Sequence, residues 1–127
     1  MVKMFDYYHT FGLFVSDLEF GVNKALLEMQ HKLSPEVKNE MRIILTRGRG
    51  NGRLAKLNWE KDANGMAHHY ESEFSNYVHK KAKELKLTKK AKELFYGIAA
   101  LTFQEGYQRP NNDIQPKHYD KILEKLE

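Results

Sequence analysis

The chain has 127 residues, of which 41% are hydrophobic and 30% charged, with a net charge of +4 and no cysteine. This length fits one domain over 1–127, and the lack of cysteine excludes disulfides, thiolate catalysis and cysteine zinc sites. No apolar run approaches the roughly twenty residues of a membrane helix, and the first residues lack the apolar core of a signal peptide. We therefore expect a cytoplasmic protein without a membrane partner.

A long first helix is predicted because apolar residues recur every three or four positions from Met4 to Met29. A second apolar stripe, formed by Leu13, Phe20 and Leu27, lies on the opposite face of this helix. That stripe needs a covering of its own, which favours a protein partner or a second copy of the chain. The alternative is a central first helix wrapped by the rest of the domain.

The next segment predicts a short helix followed by strands. Ser34 suits an N-cap and Pro35 the first helical position. After Ile43 the helical pattern fades, and Ala55, Leu57 and Trp59 alternate with polar residues as in a strand. We therefore predict an α+β fold, mainly α, with four or five helices and a small antiparallel β-meander at about 42–71. An all-α bundle is the alternative.

Helical periodicity returns in the second half of the chain. Tyr70, Phe74 and Val78 share the face of one helix, and Thr88 is a predicted N-cap for another. The second of these helices has a core face and also a far side that could hold a partner, formed by Tyr96, Phe103 and Tyr107. A short last helix is predicted after Pro116.

Positive charge is concentrated in two segments. Arg42 to Lys56 carries five basic residues and no acid, or +5, and Lys80 to Lys92 carries seven lysines and one glutamate, or +6. Subtracting both from the total leaves −7 for the remainder of the chain. Segregation of this kind is typical of a protein that binds a polyanion, although a lysine-rich helix can also serve solubility alone.

The first basic segment contains the sequence LTRGRGNGRLAKL, with three glycines at alternate positions. It lacks the Gly-Lys-Ser/Thr end of a phosphate-binding loop and the setting of a dinucleotide fingerprint. The glycines suit the tip of a basic hairpin that lies along a phosphate backbone. Trp59, Tyr70 and Tyr77 are near enough in sequence to form a stacking platform, although for Trp59 we favour a core position under the sheet. The residues predicted to bind nucleic acid are Arg42, Arg47, Arg49, Arg53, Lys56, Lys80, Lys83, Lys86, Lys89 and Lys90.

A histidine-rich segment provides the basis for an enzymatic alternative. His68, His69, Glu71, Glu73 and His79 lie close together, and His69 and Glu73 would be neighbours on a helix. There is no His-Glu-x-x-His pattern and no second set of ligands at metal-binding spacing. We therefore predict no catalytic residue, no metal and no cofactor.

These observations favour a non-enzymatic protein that binds the phosphate backbone of RNA or DNA. In size, lack of cysteine and basic helical content the chain is similar in general character to small accessory subunits of nucleoprotein complexes, including RNA-guided defence systems. An interaction module or inhibitor that binds an acidic protein, of the kind some viruses encode, is the second hypothesis. An enzyme that uses the histidines or a metal is the third.

Overall fold

The computed structural model describes residues 15–60, 64–111 and 116–127, and these residues form helices and turns without a strand. The helices are α1 (Val15–Met29), α2 (Pro35–Glu60), α3 (Asn64–Glu84), α4 (Lys89–Gln108) and α5 (His118–Lys125). The predicted β-meander at 42–71 is therefore wrong, and the all-α alternative fits. Met4 and Leu13 of the predicted first helix lie outside the described residues.

The segment predicted as strand and turn is the second half of α2, which is a long helix and not a short one. Its buried positions continue a spacing of three and four when glycine is counted among them. Leu57, predicted on the same strand face as Ala55, lies about 200° from Ala55 around the helix, and Trp59 at the helix end is 45% exposed. The buried residues along α2 are Val37, Met41, Ile44, Leu45, Gly48, Gly52 and Ala55.

Glycine allows α2 and α4 to approach closely, against a side chain at Gly48 and against backbone at Gly52 and Gly106. A methyl group on Gly48 would lie 1.9 Å from Thr102 Oγ1, and one on Gly52 would lie 2.1 Å from the carbonyl oxygen of Phe103. In return, a methyl group on Gly106 would lie 2.1 Å from the carbonyl oxygen of Arg49. The three positions form what we call the glycine seam (Gly48, Gly52 and Gly106). Close approach of this kind is a packing role for glycine that a hairpin prediction does not anticipate.

Helix α4 is the centre of the bundle. Every residue from Leu94 to Phe103 is buried, because α1, α2 and α3 all pack around this helix. Helix α1 instead buries a single stripe that contains Leu18, Val22, Leu26 and Met29. The alternative of a central, wrapped first helix therefore does not hold for its described part.

Two predicted helix starts are confirmed. The Val37 amide donates to Ser34 Oγ at 3.2 Å before α2, and the Ala91 amide donates to Thr88 Oγ1 at 3.3 Å before α4. Each cap satisfies a backbone donor that has no partner within its helix. The Thr88 cap also fixes the turn between α3 and α4, which brings the second basic segment to one end of the bundle.

Candidate nucleic-acid interface

Most basic side chains of α2 point toward the last part of the chain. Arg42, Arg49, Arg53 and Lys56 fall within about 60° of one another around a helix with 3.6 residues per turn, and we call them the arginine stripe. All four are half-buried. The stripe therefore lines an internal contact, and the predicted hairpin that would display these residues at a mobile tip does not exist.

The arginine stripe contacts backbone carbonyls and an aromatic ring. Arg42 donates through Nη1 to the carbonyl of Leu126, and Arg53 donates through Nε to the carbonyl of Pro110 at 2.6 Å. The Lys56 ammonium lies 4.9 Å from the ring centroid of Tyr107, within the range of a cation–π contact. These side chains fasten the segment after α4 to α2.

Arg47 lies on the other side of α2 and is exposed. Its guanidinium carbon is 4.0 Å from the ring centroid of Tyr77 on α3, and Lys81 Nζ is 5.8 Å from the same centroid. The Tyr77 hydroxyl donates to Glu40, and burial together with this carboxylate raises the pKa of Tyr77. Arg47 is thus the residue of the segment Arg42 to Lys56 that lies next to the segment Lys80 to Lys92.

The second basic segment forms an exposed cluster at the α3–α4 end of the bundle. All of its side chains are exposed. We call it the lysine corner, and it consists of Lys80, Lys83, Lys86, Lys89, Lys90 and Lys92. Lys80 lies 4.0 Å from Glu84, and the neighbouring Lys81 lies 3.3 Å from the same carboxylate. The remaining members make no ion pair with another residue in the described ranges.

The residues proposed as an aromatic platform do not lie together on the lysine corner. Trp59 is at the far end of α2 and is partly exposed, and Tyr70 is half-buried two turns before Tyr77 on α3. Tyr77, between the exposed Arg47 and the half-buried Lys81, is the one of the three placed beside cations of both basic segments.

The predicted partner-binding residues divide between surface and core. Phe20 and Leu27 of α1 are 72% and 62% exposed, and Phe20 lines a groove of about 620 Å³ that α1 shares with α4. Tyr96 and Phe103 are buried instead, because α3 covers the side of α4 that the sequence left open, and Tyr107 is half-buried next to them. Leu13 lies outside the described residues.

The histidine-rich segment is divided in the structure. His69 Nε2 lies 3.0 Å from Glu73 on the exposed face of α3, and His79 lies further along the helix against Tyr96 of α4. The side chain of His68 lies outside the described residues. Across the described ranges, no group of three acids or histidines is arranged to hold a metal ion.

A buried acid–histidine cluster was not predicted from the sequence. Glu105 on α4 is 1% exposed and lies 3.2 Å from His118 Nε2 of α5, while Glu19 of α1 is 3.9 Å from Nδ1. The hydrogen bond to Glu105 is the main cause that raises the pKa of His118; burial and Arg109 act in the opposite direction. The signal was present in the pattern, since Glu105 continues the core face of α4 after Leu101, and an acid on a core face needs a partner.

Comparison with known proteins gives no further guide to the chain. No protein-family model matches it, and neither curated proteins nor solved structures provide a match. Among the described residues, none of the helices has both the length and the apolar character needed to cross a membrane.

Proposed function

We propose that the protein is a non-enzymatic nucleic-acid-binding protein that contacts phosphate backbone through the lysine corner and Arg47. The observation that carries this proposal is the convergence of six exposed lysines from the end of α3, the following turn and the start of α4. Glu84 is the acid paired with this cluster in the described ranges. Such a surface retains positive potential for a polyanion.

The expected mechanism is phosphate neutralisation with release of counterions. Lysine presents a flexible point charge and does not read base edges through a fixed pair of hydrogen bonds, so little sequence preference is expected. If all six lysines meet phosphates of a duplex, the logarithm of affinity falls with the logarithm of salt at a slope of about −5. A smaller slope would count the lysines that do not take part.

Fluorescence anisotropy with labelled single-stranded RNA, single-stranded DNA and duplex DNA tests the proposal at about 50 and 200 mM salt. The triple variant Lys80→Gln/Lys89→Gln/Lys90→Gln should bind at least tenfold more weakly and show a shallower salt slope. The matched control, Lys117→Gln/Lys121→Gln/Lys125→Gln, removes the same charge at the α5 end of the chain and should lose much less affinity. Equal losses in the two variants would reject the lysine corner as the interface.

The exposed apolar residues of α1 support a second candidate function, a protein-interaction module. Phe20 lines a groove that also contains acids and lysines, and Leu27 is exposed two turns further along α1, so a partner there would meet apolar surface with both signs of charge beside it. Sedimentation analysis of the wild type and of Phe20→Asp/Leu27→Asp tests self-association through this face. A monomer at all concentrations would exclude the second-copy form of this candidate.

A further inference from the structure

A small cavity at the α3–α4 end has a lining that contains lysines and no acid. It has a volume of about 360 Å³ and is lined by Lys83, Lys86 and Lys92 together with His79 and Tyr96. None of its lining residues is acidic. The groove beside α1 contains Asp17, Glu28 and Glu93, so its lysines face carboxylates; the cavity has no such compensation.

The wall of the cavity contains a buried, hydrogen-bonded side chain as well as exposed lysines. Tyr96 is 2% exposed, and its hydroxyl lies 2.5 Å from His79 Nδ1, which joins α3 to α4 across the cavity. Lys92 Nζ lies 6.0 Å from the centroid of the Tyr96 ring. Three exposed lysines therefore surround a pair of polar groups that contact each other, which is an arrangement suited to an anion.

The backbone at Lys86 adds an independent observation. Lys86 has φ of 51° at the position just after α3, where glycine is the usual residue. The amide of Lys86 donates to the Lys83 carbonyl at 3.2 Å and that of Leu87 to the Ala82 carbonyl at 3.4 Å, which closes the helix end. The chain thus tolerates an unfavourable conformation at a position whose side chain lines the cavity, a pattern that suggests a use for the side chain.

We propose that this cavity binds the terminal phosphate monoester of a nucleic-acid strand. A phosphate monoester carries close to two negative charges at neutral pH, whereas each backbone phosphodiester carries one, so three lysines favour the monoester. Lys80 and Lys89 lie outside the cavity lining and can follow the next phosphates of the same strand, whereas Lys90 lines the α1 groove beside carboxylates. This inference rests on the proposed function, because it names the strand end as the preferred ligand of the lysine corner.

The test compares one oligonucleotide with a 5′ phosphate, a 3′ phosphate or two hydroxyl ends, using anisotropy at fixed salt. One of the phosphorylated strands should bind at least fivefold more tightly than the hydroxyl form. Lys92→Gln and Lys86→Gly should remove that preference, while Lys89→Gln/Lys90→Gln should weaken all three strands by a similar factor. Because glycine suits a positive φ, Lys86→Gly should also raise Tm, which excludes misfolding as the cause of the loss.

Inorganic phosphate and a nucleoside monophosphate provide a second readout that needs no long strand. Titration of each should shift the NMR signals of the His79 ring in the wild type and not in Lys92→Gln. If strands bind equally with any end and phosphate leaves His79 unchanged, the cavity proposal is overturned and the proposed function stands. If no strand binds but both small phosphates shift His79, nucleic-acid binding fails and the cavity is retained as a phosphate site. An absence of both signals rejects the two proposals together.

Discussion

Two neighbouring glycines on α2 differ in the space that an added methyl group would find. Gly50 has open space around it, whereas a methyl group on Gly52 would collide with the carbonyl of Phe103 on α4. Gly50→Ala should therefore stabilise the protein by about 0.5 to 1 kcal/mol, because alanine favours the helix. Gly52→Ala should destabilise it by about 3 kcal/mol, since the two helices must move apart. Urea denaturation of both variants measures the difference, and equal stabilities would contradict the glycine seam.

Lys86 provides a second prediction for a single residue. Its φ of 51° costs a residue with a Cβ about 1 kcal/mol more than glycine, so Lys86→Gly should raise the free energy of unfolding by about that amount. Lys83→Gly, one turn earlier and inside α3, should instead lower it by several tenths of a kcal/mol, up to about 1 kcal/mol. Thermal and urea unfolding of this pair compare the same substitution in two backbone conformations. A loss of stability in Lys86→Gly would show that the side chain, and not the backbone, dominates there.

Arg42 and Arg53 of α2 are held in packing contacts, unlike the exposed side chains of the lysine corner. Arg53 donates to the Pro110 carbonyl and Arg42 to the Leu126 carbonyl, so Arg42→Gln and Arg53→Gln should each destabilise the fold by about 1 to 2 kcal/mol. Nucleic-acid affinity, measured by anisotropy where both variants are folded, should stay within about threefold of wild type. A large loss of affinity at unchanged stability would instead return the arginine stripe to the interface.

The sequence predicts those helices whose contacts are made by large apolar side chains. The caps at Ser34 and Thr88 and the face shared by the buried Phe74 and Val78 of α3 are all where the pattern places them. The second half of α2 could not be predicted in the same way, because its contacts at Gly48 and Gly52 are made by backbone. A hydrophobicity pattern gives glycine no weight, although the four-residue spacing of these two glycines is itself a helical signal.

At the scale of the whole molecule, charge segregation along the chain predicts a basic region but not which basic side chains are exposed there. The sequence predicts one basic surface from the segments Arg42 to Lys56 and Lys80 to Lys92. In the fold, the arginine stripe packs against the segment after α4, whereas the lysine corner remains exposed. Side-chain direction around α2 decides this, and it depends on which face the neighbouring helices cover. The phosphate cavity was also beyond sequence analysis, because His79 and Lys92 belong to different helices.

The opposite end of α4 contains a pH-dependent contact between three helices. His118 of α5 meets Glu105 of α4 and Glu19 of α1, and its pKa is raised above the usual value of about 6.5. The folded state therefore keeps this proton to a higher pH than the unfolded state. The contribution of protonated His118 to the free energy of unfolding is complete below about pH 6.5 and is lost as pH rises through the pKa of His118 in the folded state. Urea unfolding should accordingly give a lower free energy of unfolding at pH 8 than at pH 6.

Removal of the imidazole should abolish this pH dependence without affecting the other end of the bundle. His118→Gln should lower stability at pH 6 by about 1 to 2 kcal/mol and flatten the profile up to pH 8, since Glu105 loses a charged partner. His69→Gln, which removes the exposed pair with Glu73, should leave the profile nearly unchanged. Residues 89 and 105 are about 24 Å apart along α4, so strand affinity in His118→Gln should equal that of wild type. A profile that survives His118→Gln would place the titrating group elsewhere, and altered affinity would show that the two ends of the bundle are coupled.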